Sequence, residues 1–349
     1  MAQLTVSLSA IAANYQILQQ SAYADVAAVV KADGYGLGAN AIAQHLRNMG
    51  CTDFFVATAQ EGAALAQALE DANIYVFEGA TDQSAALLCQ HDLIPVLNTA
   101  QQCALWRSTA RAAALHVDSG LNRLGIPLKE VVGCAEGLNL TYLISHLARA
   151  DEQDQSYTQQ QVRVCQEVFG QLSQTQQSLR LSITNSAGML RSVGPEHLGR
   201  AGIGLYGGNP FQRGANPMHP VANLYAQVLQ VRELKAGETV GYNGTHVAQA
   251  NTSIAVIDVG YADGIPRLLS NRGYAVAAGQ QCPMVGRISM DTLAVEIGDA
   301  PVVEGDMVEL FGGQIDIESV ATHAQTLSYE ILTGLGARLL RRYTNDSVT

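Results

Sequence analysis

The sequence predicts an α/β chain: an N-terminal (β/α)8 barrel of the TIM type over residues 1–217, then a mostly β domain over 218–349. Three observations predict it. Eight short apolar runs alternate with helix-length segments through the first two-thirds. The texture changes after a connector rich in Pro, Gly and Asn at 209–217, beyond which strand-like runs follow one another at short spacing. With 48% hydrophobic and 15% charged residues in 349, the chain has material for a large core and is not disordered.

In chain order, Leu4–Leu8 reads as a short strand leading into an amphipathic helix. The barrel strands are Ala27–Val30, Phe54–Ala57, Ile74–Phe77, Ile94–Leu97, Ala114–Val117, Tyr142–Ser145, Leu181–Thr184 and Gly202–Tyr206. Helical spacing marks Ala39–Met49, Ala59–Leu69 and Gln159–Leu172 between them. A doubly wound sheet shares this alternation, but eight units favour closure. In the second domain VANLYAQVLQVREL, TSIAVIDVG, YAVAAG, CPMVGRISM, LAVEIG and DMVELFG read as strands, and Ser328–Arg341 as a last helix.

The 20 Lys and Arg against 31 Asp and Glu give a net charge of −11. That balance argues against nucleic acid as partner, while leaving room for a local cationic pocket. No lysine or arginine precedes Lys31, so no signal-peptide n-region is expected. No apolar run reaches ~18 residues, so no membrane span is expected. The six cysteines show no C-x-x-C spacing and no nearby histidine. They read as reduced and buried rather than as metal ligands or disulfides, which points to a cytoplasmic protein.

In a (β/α)8 barrel, chemistry sits where the strands end at their C-terminal face. Five places there are polar. Lys31 ends the first barrel run in VVKADGYGLG, where partial desolvation lowers an amine's pKa and favours Schiff-base chemistry. A surface lysine snorkelling at a strand end is the plain alternative. Asp33, Tyr35 and glycines 34, 36 and 38 make a tight loop opening a helix. Arg123, in HVDSGLNRLG, suits a carboxylate or phenolate oxygen, or else a structural loop salt bridge. His146 follows the sixth run, and Asn185 or Ser186 in TNSAG can cap a helix and present N–H groups to an anion. GRAGIGLYGG places glycines beside the eighth strand, where phosphates often dock. Tyr261 in VIDVGYADGIPR and Met290–Asp291 in ISMDT lie in turns, and spacing alone gives them no meaning.

Together VVKADGYGLG, DSGLNRLG, SHLARAD, TNSAG, RAGIGLYG, GYADGIPR, VGRISMDT and SYEILTGLGARLLRRY resemble the alanine racemase family, in the family's order and over nearly the whole chain. The resemblance implies a pyridoxal 5'-phosphate enzyme that interconverts L- and D-alanine and supplies D-alanine for peptidoglycan. It implies that Lys31 holds the cofactor covalently and serves as one base. Tyr261 would be the second base, contributed by the partner subunit of a homodimer with shared active sites. Tyr35, Ser186, Gly202, Ile203 and Tyr343 match phosphate-holding positions, with Asn185 beside them. Arg200 matches the arginine facing the pyridine nitrogen, with His146 behind it. Arg123 and Met290 match substrate contacts, and Asp291 supports that loop. No metal is implied.

An arginine can only donate a hydrogen bond, so the ring nitrogen stays unprotonated and side reactions are limited; this argues against decarboxylation. Racemisation needs two proton-handling groups on opposite faces of Cα, which is why a lysine and a tyrosine are both required. The chain departs from the family at His116, where many members carry a lysine, often carbamylated. Asn122, His116 or a bound anion is then expected to orient Arg123 in its place. A racemase of broader amino-acid specificity, a non-catalytic cofactor-carrier barrel and a Schiff-base aldolase barrel are the competing readings. The second domain tells against the carrier, and the Tyr261 motif against the aldolase.

Overall fold

The computed structural model describes residues 2–22 and 24–346. The chain divides into two compact units. One comprises Ala12–Leu205 with Arg213–Met218; the other comprises the residues up to Ile11, Tyr206–Gln212 and those from His219 onward.

The strands begin with β1 (Gln3–Ser7), which runs into a helix over Leu8–Ser21. The barrel follows: β2 (Asp25–Val29), β3 (Asp53–Val56), β4 (Asn73–Val76), β5 (Ile94–Leu97), β6 (Ala112–His116), β7 (Asn139–Ile144), β8 (Arg180–Ser182) and β9 (Leu198–Ala201). They pair in parallel in the order β8-β7-β6-β5-β4-β3-β2-β9. These strands are short and almost wholly buried, as a parallel sheet covered by helices requires. Phe55 stacks on Tyr75 and on Phe77, and Tyr75 meets Tyr142 edge-on, so aromatic rings line one side of the interior.

The seam between β8 and β9 is closed partly by side chains. Arg200 N donates to Thr184 O at 3.1 Å and His197 N to Leu181 O at 2.8 Å. Between them the Glu196 carboxylate accepts from Ile183 N and Thr184 N. Glu196 thus supplies the acceptor that a strand would otherwise provide.

The second unit is built on β10 (Ala222–Leu234), β11 (Thr239–Val240), β12 (His246–Val247), β13 (Thr252–Ile257), β14 (Tyr274–Ala277), β15 (Gln280–Pro283), β16 (Leu293–Glu296), β17 (Met307–Phe311) and β18 (Leu340–Thr344). Its main sheet runs β15-β14-β17-β10-β1-β18, with β13 pairing β10 and β16.

Three expectations are redrawn. The division at 217/218 gives way to one in which β1 joins the second unit, because β1 pairs antiparallel with β10 and parallel with β18. The eighth strand is Leu198–Ala201, not Gly202–Tyr206. The buried run Ile203–Tyr206 is a 3-10 turn instead, its backbone drawn out of the ladder where the Ser186 hydroxyl takes the N–H groups of Gly202 and Gly204. A four-residue apolar run fits either structure, so its hydrophobicity could not decide between them. The final helix covers only Ser328–Thr333, and Tyr343 lies on β18 opposite Val6. The helix stops where Gly334 O passes so close to Gly264 that a Cβ there would lie 2.3 Å away, and where Gly336 N donates to Asp263 O.

Candidate active site

Lys31 leaves β2 directly into an unusual turn. Ala32, Asp33, Gly34 and Tyr35 all adopt left-handed φ values, between 52° and 62°. For the three that are not glycine this conformation costs ~1–2 kcal/mol each. The turn is held by Gly34 N to Val30 O (2.9 Å), Gly36 N to Ala32 O (2.8 Å) and Gly38 N to Asp33 O (2.8 Å). Two carboxylates complete it: Asp33 Oδ1 accepts from Ala39 N, and Glu61 Oε1 from Ala32 N, both at 2.9 Å. The other Glu61 oxygen accepts from Ala57 N at 2.7 Å, tying the turn to the end of β3.

The Lys31 ammonium lies 5.7 Å from the centre of the Phe77 ring. Burial lowers its pKa, Arg123 lowers it further, and Glu61 opposes both. The expected desolvation of this lysine is therefore present in the structure.

Arg200 lies within β9 and is fully buried. It donates to Ser182 Oγ (2.6 Å), Ser145 O, Ile183 O (3.3 Å) and His146 Nδ1 (3.4 Å). Burial pulls its pKa to about 10, and Glu196 acts in the other direction. An arginine offers donors only, so His146 Nδ1 carries the lone pair and its proton sits on Nε2. His146 is pulled down to about 3 by burial, then by Arg200, Arg123, His116 and Lys31.

His116 ends β6. Its Nδ1 lies 2.7 Å from Asn98 Oδ1. The Asn98 amide nitrogen donates to Phe77 O and Val96 O, so the oxygen faces the ring and His116 Nδ1 is the donor. Burial, with Arg200 and Arg123, holds His116 at about 4, while Asp118 acts oppositely.

Arg123 rides on a well-built loop. Asp118 Oδ1 accepts from the backbone N–H groups of Gly120, Leu121 and Asn122 at 2.9, 2.9 and 3.1 Å. The loop's base is closed by Ile126 N to His116 O and Asp118 N to Ile126 O. The exposed Arg123 guanidinium makes no hydrogen bond or ion pair among the described residues, and the Asn122 amide turns to Gly120 O. Neither Asn122 nor His116 bonds Arg123, which corrects that part of the expectation.

Ser186 Oγ accepts from Gly202 N (3.1 Å) and Gly204 N (3.2 Å), leaving its own proton to donate. A Cβ on residue 202 would sit 2.7 Å from the Tyr35 hydroxyl, so any side chain there would have to push that hydroxyl aside. Asn185 caps the next helix by accepting from Gly188 N. Ile203 is buried beside this cradle. The barrel thus brings together Lys31, Tyr35, Arg123, His146, Asn185, Ser186, Arg200, Gly202 and Ile203 at its strand ends, all within one unit.

Tyr261, Met290, Asp291 and Tyr343 belong to the other unit. Tyr261 N donates to Ser289 O and Ala262 N to Met290 O, both at 3.0 Å. A side chain on Gly260 would meet Met290 O at 2.3 Å, so the two turns interlock through bare backbone. Arg338 fastens them: it grips Asp263 with Nε (2.9 Å) and Nη2 (3.0 Å), and Asp291 with Nη1 (2.8 Å). Tyr261 and Met290 are 44% and 52% exposed, presented outward from this unit.

The pattern described as "Alanine racemase, N-terminal domain" matches residues 6–210, and "Alanine racemase, C-terminal domain" matches 221–343. The chain belongs to the alanine racemase family. It is 42% identical to an alanine racemase of Acidiphilium cryptum, over 97% of each chain. Two Agrobacterium fabrum relatives are named biosynthetic and catabolic alanine racemases, at 37% and 39% identity; they cover 98% and 99% of this chain, and 93% of each relative is covered. Among solved structures, an alanine racemase from Bartonella henselae with covalently bound pyridoxal phosphate superposes with a TM-score of 0.92 at 36% identity, covering 98% of this chain and 99% of that one. An alanine racemase from Streptomyces coelicolor gives a TM-score of 0.93 at 30% identity, covering 99% and 98%.

Residue-by-residue reading missed Glu61, Asn98 and Arg338. Glu61 follows Thr58 by three residues, the signature of a capping box. Its backbone N–H does bond Thr58 Oγ1, but its carboxylate leaves the cap for the Lys31 turn. Asn98 directly follows an apolar strand run, which marks it as a strand-end polar residue. Arg338 lies inside a matched motif, but nothing local shows which acids it reaches.

Proposed function

We propose that this chain interconverts L-alanine and D-alanine with pyridoxal 5'-phosphate, using Lys31 and Tyr261 as its two bases. The observation that carries the reading is the Lys31 amine, 5.7 Å from the Phe77 ring centre and lowered in pKa by burial and then by Arg123, in a barrel mouth where Arg200 is buried among neutral acceptors. When bound, the cofactor supplies an electron sink that acidifies the substrate Cα proton.

The residues fit that group. Ser186 has a proton to give, Tyr35 closes on Gly202, and the glycine backbone leaves room; with Ile203 these would hold the phosphate, and the family resemblance adds Tyr343. Arg200 would offer the ring nitrogen a hydrogen-bond donor and no acid, and His146 backs the guanidinium. Lys31 would hold the cofactor, and its amine would handle the proton on one face. The Tyr261 phenol handles the other face. Arg123, with no hydrogen-bond or ion-pair partner among the described residues, takes the substrate carboxylate as a two-pronged donor. Met290 limits the space for the substrate side chain, and Asp291, through Arg338, keeps that turn in place.

Tyr261 faces outward from its unit, which supports a homodimer in which it serves the partner's Lys31. Six unpaired cysteines, five of them buried, suit the reducing cytoplasm. Provision of D-alanine for peptidoglycan is the role we assign. Relatives named biosynthetic and catabolic are similar to this chain at nearly equal identity, so rescue of a D-alanine auxotroph is the test of that role.

The activity is checked by incubating the protein with L-alanine and separating the enantiomers. Lys31→Ala is expected to abolish turnover, and Tyr261→Phe to lower L-to-D turnover by ~10²–10⁴-fold. Unchanged rates in both directions for Tyr261→Phe would remove the phenol from the mechanism.

A further inference from the structure

Gln161 lies on the outer helix Ser156–Leu172, is fully buried, and has no role in the chemistry above. Its side chain spends every polar atom on two loops at the barrel mouth. Nε2 donates to Ser119 Oγ at 3.1 Å and to His146 O at 3.2 Å, while Oε1 accepts from Ala148 N at 2.9 Å. Ser119 adjoins Asp118, whose carboxylate shapes the Arg123 loop. His146 is the residue against Arg200.

The hydrogen bonds run in one direction. Ser145 Oγ donates to Val117 O at 2.9 Å, so its single proton is committed. Ser119 Oγ, 2.8 Å away, must therefore be the donor to Ser145 Oγ, and it receives its own bond from Gln161. Ser145 also gives its carbonyl to Arg200 Nη2. One amide is thus bonded, through the Ser119 hydroxyl, to the loop bearing Arg123 and to Ser145, and directly to His146, two of the residues that accept from Arg200 Nη2. Buried networks with every member satisfied are rigid, and losing one member leaves several groups unpaired. The same helix adds Tyr157, whose hydroxyl donates to Gly120 O at 2.7 Å; that bond reaches the Arg123 loop alone.

We propose that Gln161 is a positioning residue that fixes the Arg123 loop and the His146–Arg200 pair in one mutual register. The proposal rests on the racemase reading for its kinetic consequences. Its structural consequence, that two loops lose order together, stands without that reading.

The test compares holoenzymes of wild type, Gln161→Leu, Ser119→Ala and Tyr157→Phe. Gln161→Leu is expected to raise KM for L-alanine roughly tenfold or more, to change the visible circular dichroism of the bound cofactor, and to speed amide exchange in both 118–123 and 146–149. Ser119→Ala should do the same more weakly, and it carries the test if Gln161→Leu does not fold. Tyr157→Phe should raise KM and loosen 118–123 while leaving the dichroism and 146–149 as in wild type. A folded Gln161→Leu, or Ser119→Ala in its stead, that is less heat-stable yet has wild-type KM and dichroism would overturn the proposal, leaving Gln161 as core packing. Wild type inactive on alanine would overturn the racemase reading, and the exchange pattern would still decide on Gln161.

Discussion

The two units hold their functional side chains by opposite means. In the barrel, Arg200 is buried and its hydrogen bonds go to a serine hydroxyl, two carbonyls and a neutral histidine, with no carboxylate bonded to it among the described residues. In the second unit, Arg338 is half exposed and grips two aspartates. The first arrangement gives the donors neutral acceptors, and Glu196 opposes the positive charge only through space, so the charge still acts on an anionic or electron-rich ligand in a low-dielectric site. The second cancels its charge and keeps the geometry of the fork, in water where ion pairs contribute little energy. The barrel preserves a field, and the second unit preserves a shape.

Arg338→Met should break that division most visibly. Asp263 and Asp291 would lose their common partner, and the interlocked Tyr261 and Met290 turns would be free to shift. A displacement of about 1 Å in a proton-handling group costs up to ~10²-fold in rate. The expected result is a ten- to hundredfold loss of kcat (~10–10², by the same relation) with the cofactor's visible absorbance as in wild type. A changed absorbance with unchanged kcat would reverse the assignment of the two units.

A smaller effect tests the barrel's reliance on uncharged partners. His116 and His146 stay neutral to about 4 and about 3, against an ordinary 6.5. Around them stand Asn98, Asp118, Arg123, Arg200 and Lys31. As pH falls below 6.5 the unfolded chain binds protons that the folded chain refuses, so stability is lost down to about pH 4 and the loss ends near pH 3. A tenfold difference in proton affinity is ~1.4 kcal/mol, so the two rings together withdraw several kcal/mol across that window. His116→Gln can keep a donor toward Asn98 Oδ1 and has nothing to titrate. Its stability to urea should fall less between pH 7 and pH 5 than that of wild type, and an equal fall would show that His116 does not hold a depressed pKa.

The same contrast explains what the sequence revealed. Strand alternation and strand-end polar residues made the barrel legible, because burial imposes both on local sequence. Lys31, Arg200 and Ser186 were visible for that reason. The second unit's devices were not. Arg338 reaches Asp263 across 75 positions and Asp291 across 47, and no local pattern encodes such a partner. The parallel pairing of β18 with β1 spans almost the full chain, so local pattern alone extends the helix from Ser328 over the last strand. Gln161 left a trace: it sits with Thr158, Val162, Cys165 and Val168 on the buried stripe of its helix, a polar residue where an apolar one is the rule.

The finest test concerns Glu61, the carboxylate that braces the Lys31 turn at the barrel's cationic mouth. It does two things at once: it accepts from Ala32 N, bracing the left-handed turn, and its charge opposes the depression of the Lys31 pKa. Glu61→Gln keeps the size and one acceptor oxygen while removing the charge. If the charge matters, the pH midpoint for modification of the Lys31 amine by trinitrobenzenesulfonate, measured on cofactor-free protein, moves to lower pH, since burial and Arg123 then act unopposed. If Glu61 serves the turn alone, the midpoint stays where it is and only amide exchange at Ala32 quickens. The first outcome makes the barrel's field a balance of opposing charges; the second makes it a field set by burial and arginines, with Glu61 a brace beneath it.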